Sequence, residues 1–278
     1  MKLKERLVKN VWLSAAAILL AAVLLVFLVV TAVRVVLDAV NKPIVSEQTT
    51  EEAILEPTLN THLGRFYHGQ NSYLQYEGET EAHLGIDVSS HQMEINWQEV
   101  GNTPVEFAII RAGYRGYTEG AIVEDKYFAD NLRGAKDIGL KIGIYFFSQA
   151  ISEEEAIEEA EFVLSLLGDT ELSYPVFFDW EDIEPEARTD EMTSLEITAC
   201  AKAFCTRIEQ AGYQAGVYFN QTFGYQELKL LELEDYIFWL ADYSIPCHYR
   251  YDYDFLQYTN LGRVSGISTS VDLNLGFD

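Results

Sequence analysis

Tyr174-Pro-Val-Phe-Phe-Asp-Trp-Glu181 is the stretch whose reading decides the fold. Pro175 opens it, and the unbroken apolar run Val176-Phe177-Phe178 has the character of a strand buried on both faces. Strands of that kind belong to parallel sheets covered by helices. The run ends in two carboxylates with an aromatic between them. Alternation along a strand puts Asp179 and Glu181 on one face and Trp180 on the other. Two acids closing a buried strand repel each other and resist desolvation, so one proton is expected to be held at raised pKa. A general acid beside an anionic stabiliser needs that condition. Taken alone, the segment also reads as a loop of solvated acids beginning at Asp179, so its neighbours decide.

On either side, strand-like and helix-like runs alternate. Leu84–Val88, Phe107–Ile110, Lys141–Phe147, Tyr174–Asp179 and Ala215–Phe219 read as strands. Between them lie helical patterns over Ile95–Val100, Asp125–Ile138, Ser152–Leu167 and Glu191–Ala211, the third opened by Ser152 with Glu155 placed as in a capping box. Three more strands, Tyr236–Leu240, Phe255–Tyr258 and Val271–Leu273, follow with little helix between them. Repeated strand–helix units imply parallel strands with right-handed crossovers. The spacing therefore predicts an α/β fold, a degenerate (β/α) barrel of TIM type with about five β/α units plus three strands, over residues 84–278. A doubly wound sheet is the alternative, but no Gly-x-Gly-x-x-Gly follows the first strand.

Upstream, Val11 to Val33 carries no charge and is almost wholly apolar, and about 20 such residues span a bilayer as a helix. Lys2, Lys4, Arg6 and Lys9 precede it against Glu5 alone, which predicts a cytoplasmic tail over 1–10 and a retained signal-anchor over 11–33. Residues 34–83 then read as an extracytoplasmic stem, with a small hairpin around Arg65-Phe-Tyr67 and Tyr73–Tyr76. Localisation is thus expected at a cell membrane, single-pass, with the barrel outside.

The whole chain carries −25; six basic and two acidic residues lie within 1–42, so the remainder carries −29. Such a domain is repelled by nucleic acid, which excludes DNA and RNA as partners. Cys200, Cys205 and Cys247 have no regular spacing and read as small buried residues, neither a disulfide framework nor a metal site. The acidic run Glu153–Glu155, Glu158, Glu159 and Glu161 reads as a solvated helix face.

Barrel enzymes carry their chemistry at the C-terminal ends of the strands. Those ends supply Asp87, Asp179, Glu181, Asp242 and Asp272. Aromatics accompany them: Tyr114, Tyr145, Phe147, Tyr218, Trp239 and Tyr243, with Gln257 on the next strand. Singly, each acid reads as a helix cap and each aromatic as core. Together they describe a carboxylate-lined pocket walled by rings, suited to stacking sugar faces and to an oxocarbenium-like transition state. His91, four residues beyond Asp87, fits a loop-fixing hydrogen-bond donor better than a base or a metal ligand, because no second histidine joins it.

The segments Gly85-Ile-Asp-Val-Ser-Ser-His-Gln92, Arg111-Ala-Gly-Tyr114, Gly143-Ile-Tyr-Phe-Phe-Ser148, Phe178-Asp-Trp-Glu181 and Val271-Asp-Leu-Asn274 resemble family 25 of the glycoside hydrolases, the CH-type lysozymes. The resemblance covers about residues 84–278 and implies cleavage of the β-1,4 bond between N-acetylmuramic acid and N-acetylglucosamine in peptidoglycan, without metal or cofactor. It implies Glu181 as general acid, Asp179 as its partner carboxylate, and Asp87 and Asp272 as further acids of the same site. Met93, Asn96 and Phe146 depart from the family's usual residues, which bears on substrate preference rather than on the four acids. Two rival readings stay open at this point: a barrel hydrolase holding a divalent cation with Asp87, Asp179, Glu181 and Asp272, and a barrel that binds glycan without cutting it.

The spacing of the two central acids bears on the reaction course. Strand neighbours i and i+2 lie about 6–7 Å apart at Cα and point the same way. Carboxylates so disposed do not readily take opposite faces of one anomeric carbon. Retention through the substrate's own acetamido group is therefore expected, with inversion by an Asp87-activated water as the alternative.

Overall fold

The computed structural model describes residues 28–34, 56–69, 73–183, 186–245 and 247–277. The chain divides into two compact units, Met1–Ile54 and Leu55–Asp278. In the first, residues 28–34 form a helix, α1. The tail at 1–10 and the greater part of the expected span at 11–33 lie outside the described residues. Among the described residues no helix is long and apolar enough to cross a membrane.

The second unit starts at Leu55. Its first element is the anticipated hairpin, β1 (Arg65–His68) antiparallel to β2 (Leu74–Glu77). There follow β3 (Ala82–Val88), α2 (Trp97–Val100), β4 (Phe107–Arg115), β5 (Ile122–Glu124), α3 (Phe128–Asp137), β6 (Lys141–Ser148), α4 (Glu153–Leu167) and β7 (Val176–Trp180). Then come α5 (Ser194–Gln210), β8 (Ala215–Asn220), α6 (Gln221–Gln226), β9 (Ile237–Ala241), β10 (Phe255–Gly262) and β11 (Val271–Phe277).

Eight strands close into a barrel in the order β3-β4-β6-β7-β8-β9-β10-β11, with β11 pairing back onto β3. Seven run parallel; β11 is antiparallel to both β10 and β3. This corrects the placing of Asp272 at a C-terminal strand end. It is the second residue of a reversed strand, and the reversal brings it to the mouth where the other strands finish. The short β5, unforeseen in the sequence, folds back on β4 as a hairpin.

Period-2 alternation sorts the side chains into two layers. Phe107, Ile109, Tyr145, Phe177, Tyr218, Trp239 and Phe255 fill the barrel interior. Their sequence neighbours Ala108, Ile110, Ile144, Phe146, Phe178 and Leu240 face outward and pack with Phe204, Ile208 and Val163 of the helices. Glycine makes room for the rings inside: a Cβ on Gly85 would lie 2.2 Å from the Phe107 ring opposite it. Ser152 and Thr193 cap α4 and α5, each accepting from the backbone N–H three residues on, worth about 1 kcal/mol apiece. Thr193 and Glu196 complete a capping box. In α4 the return bond goes one residue further back, from the Ile151 N–H to Glu155.

The segment from residue 56 to the hairpin covers the end of the barrel opposite the mouth. The Leu59–Tyr251 bridge ties it to the chain before β10. The His62 ring stacks on Phe277 at 3.9 Å, and Leu74 is fully buried.

Candidate active site

β7 ends as its sequence requires. Phe177 and Asp179 face the interior, while Trp180 turns outward and its ring stacks on Phe223 at 5.2 Å. Glu181 follows directly. Its carboxyl lies above its usual range through burial first and the charge of Asp87 second. Asp179 is pushed up further, by deeper burial and then by the charges of Glu181 and Asp87. Its Oδ1 is buried with no partner among the described residues.

Asp87 and Asp272 are direct register partners across the β3–β11 ladder, a position that holds Cβ atoms about 4.5–5.5 Å apart. Burial and the neighbouring Asp87 raise Asp272 to about 8, and Asp272 hydrogen-bonds to Asp87. Asp87 is raised as well, by burial, against hydrogen bonds from Asn274, Gln257 and Asp272 that favour its charged form. Its Oδ2 accepts from Gln257 Nε2 at 2.9 Å and Asn274 Nδ2 at 2.8 Å.

The amides cannot turn round. Gln257 Oε1 accepts from the hydroxyls of Tyr218 at 3.1 Å and Tyr243 at 2.8 Å, and Asn274 Oδ1 accepts from Trp239 Nε1 at 2.9 Å. Three aromatic donors thus fix two amides so that both N–H groups point at one carboxylate. Tyr145, Tyr218 and Trp239 are buried in the barrel, and Tyr243 is half exposed at the rim. Burial pushes the Tyr145 and Tyr218 phenols well up, so both stay neutral.

Tyr114 reaches the mouth through a β-bulge. The β4–β6 register slips between Arg111 and Gly113, so Tyr114 lies opposite Phe147 and rejoins the face of Arg111 and Tyr145. The same slip turns Arg115 outward. Arg111 lies under the Tyr114 ring at 5.5 Å, binds Asp125 and Ser90 Oγ, and opposes the upward shift of Asp179.

Asp242, after β9, lines a cleft of about 770 Å³ with Glu181, Tyr218 and Tyr243. Its Oδ1 is taken by Ser244. The His91 ring is exposed and has no hydrogen bond to the loop among the described residues. Ser89 fixes the loop by accepting from the His91 backbone N–H, with Gln92 closing a capping box and reaching Ser270 O.

The acidic helix face is likewise corrected. Glu159 is fully buried and binds Arg115 Nε at 2.7 Å, and Glu155 binds Arg188 at 2.6 and 2.8 Å. Cys200 and Cys205 are buried as expected, and Cys247 partly so.

The description "Glycosyl hydrolases family 25" matches residues 86–267. The autolytic lysozyme of Clostridium acetobutylicum is 28% identical over 191 residues, which are 68% of this chain and 54% of that protein. The modular autolysin LytC of Streptococcus pneumoniae, solved in complex with a synthetic peptidoglycan ligand, superposes with a TM-score of 0.64 at 24% identity, over 80% of this chain and 52% of that one. A family 25 glycosyl hydrolase from Bacillus anthracis gives 0.61 at 23% identity, over 73% and 92%. The chain thus spans about half the length of the first two.

Proposed function

Because the chain belongs to glycosyl hydrolase family 25, we propose that it is a lysozyme-type N-acetylmuramidase cutting the β-1,4 bond between N-acetylmuramic acid and N-acetylglucosamine. The observation that carries this reading is the gathering of Asp87, Asp179, Glu181 and Asp272 at one barrel mouth, with two of them paired through a hydrogen bond.

Glu181 is the general acid. Burial first, and the charge of Asp87 second, raise its pKa, which favours the proton-bearing form a general acid needs. Asp179 supplies the second half. A substrate acetamido N–H placed on its partnerless Oδ1 favours the anionic form and leaves the proton of the pair on Glu181. Protonation of the glycosidic oxygen then breaks the bond to the anomeric carbon while the acetamido oxygen attacks that carbon. Asp179 stabilises the cationic ring so formed. Water, deprotonated by Glu181, opens the ring and restores the acetamido group with net retention. Proton NMR of a β-linked glycan digest tests this course: the β-anomer accumulates first, and an initial α-anomer contradicts it.

The uncharged span at 11–33 behind a basic tail supports a membrane anchor with the barrel on the outer side, facing the wall of a bacterium of Gram-positive type. Fractionation tests it: recovery in the membrane fraction supports the anchor, and release into the medium without about the first thirty residues refutes it.

A further inference from the structure

Glu181 stands one residue past the end of its sheet. The β6–β7 ladder stops at Ser148–Trp180 and the β7–β8 ladder at Asp179–Tyr218, so no strand holds the Glu181 backbone. A side chain takes over. Gln149, fully buried, donates from Nε2 to the Glu181 carbonyl at 2.9 Å and to the Ser148 carbonyl at 3.0 Å. Two carbonyl acceptors on Nε2 fix the orientation of the amide, and its Oε1 accepts from Thr189 Oγ at 3.0 Å. The Gln149 backbone carbonyl accepts from Arg188 Nη1, and that guanidinium is clamped bidentately by Glu155 of α4. The Arg188 backbone N–H in turn donates to the Tyr117 carbonyl at 2.9 Å.

We propose that Gln149 is a positioning residue for the general acid: its amide extends the β6–β7 ladder by one rung, and the Thr189, Arg188 and Glu155 contacts hold that rung in place. This inference rests on the assignment of Glu181 made above. Gln149 touches the backbone of Glu181 and not the substrate. Its loss therefore acts on the aim of the carboxyl, where a displacement of about 1 Å costs up to about 10²-fold in rate. The device also gives the half-buried carboxylate of Glu155 a purpose that a solvated helix face lacks.

The test compares Gln149→Leu, Glu181→Gln and the double variant in the full chain, using soluble uncrosslinked peptidoglycan strands as substrate. Gln149→Leu is expected to lower kcat by about 10- to 100-fold with KM within about threefold, and to move the alkaline limb of the kcat profile. In the double variant the two losses do not add, because both act on one proton transfer. If Gln149→Leu fails to fold, Thr189→Val carries the same test; Thr189→Ser, which keeps the hydroxyl, recovers the rate that Thr189→Val loses. Wild-type kcat in Gln149→Leu beside an inactive Glu181→Gln overturns the positioning role alone, as does full additivity or a change confined to KM. Turnover retained in Glu181→Gln overturns the assignment of the acid and this inference with it.

Discussion

Asp272 faces Asp87 directly across the antiparallel β3–β11 ladder and hydrogen-bonds to it, while Asn274 two residues further along the same face donates to Asp87 at 2.8 Å. The reversed strand thus delivers both a proton-sharing acid and an amide to one carboxylate. These hydrogen bonds oppose the rise that burial imposes on Asp87, and the interaction with Asp87 raises Glu181 beyond the effect of burial.

Replacing Glu181 with Gln keeps the shape of the side chain and removes the transferable proton. Turnover is expected to fall about 10²- to 10⁴-fold, with binding of soluble glycan strands, read by calorimetry, largely unchanged. Near-wild-type activity would move the acid to another residue, with Asp87 next in line.

Asn274→Leu takes away one donor to Asp87 and leaves the Trp239 indole N–H buried without an acceptor. Each unsatisfied buried group costs about 1–3 kcal/mol, so denaturant unfolding should show a loss of that order, accompanied by a fall in hydrolysis rate. An unchanged midpoint and rate together would remove the network from the account.

Much of this was legible in the sequence, and the reasons differ by element. The strands of the first five units declared themselves because burial on both faces produces unbroken apolar runs, as at Val176–Phe178. Asp179 and Glu181 followed from period-2 alternation alone. Asn274 carries the same signal, since it sits two residues from Asp272, yet a neutral amide has no charge to draw notice. The direction of β11 was hidden because alternation does not tell a parallel strand from an antiparallel one. The acidic face of α4 misled because its partners, Arg115 and Arg188, lie about 30 to 45 residues away in sequence, one of them reversed in facing by a bulge.

Stability should depend on pH with a definite sign. Asp272 is raised from 3.8 to about 8 and Glu159 from 4.5 to about 7, burial being the first cause in both. The folded chain therefore keeps protons that the unfolded chain has released, so unfolding becomes easier as pH rises through this window. Thermal unfolding is expected to shift to lower temperature between about pH 4 and pH 8, and Asp272→Asn should flatten the slope. A melting temperature that rises over this range would contradict the shifts.

The central claim is the bond that is cut, and the reducing end of the product reports it most directly. Purified peptidoglycan is digested with the full chain in excess EDTA, the products are reduced with borohydride, and the new ends are identified by mass. The account predicts muramitol ends, formed at an undiminished rate with EDTA present. Glucosaminitol ends, no soluble fragments, or loss of activity on chelation would each contradict it.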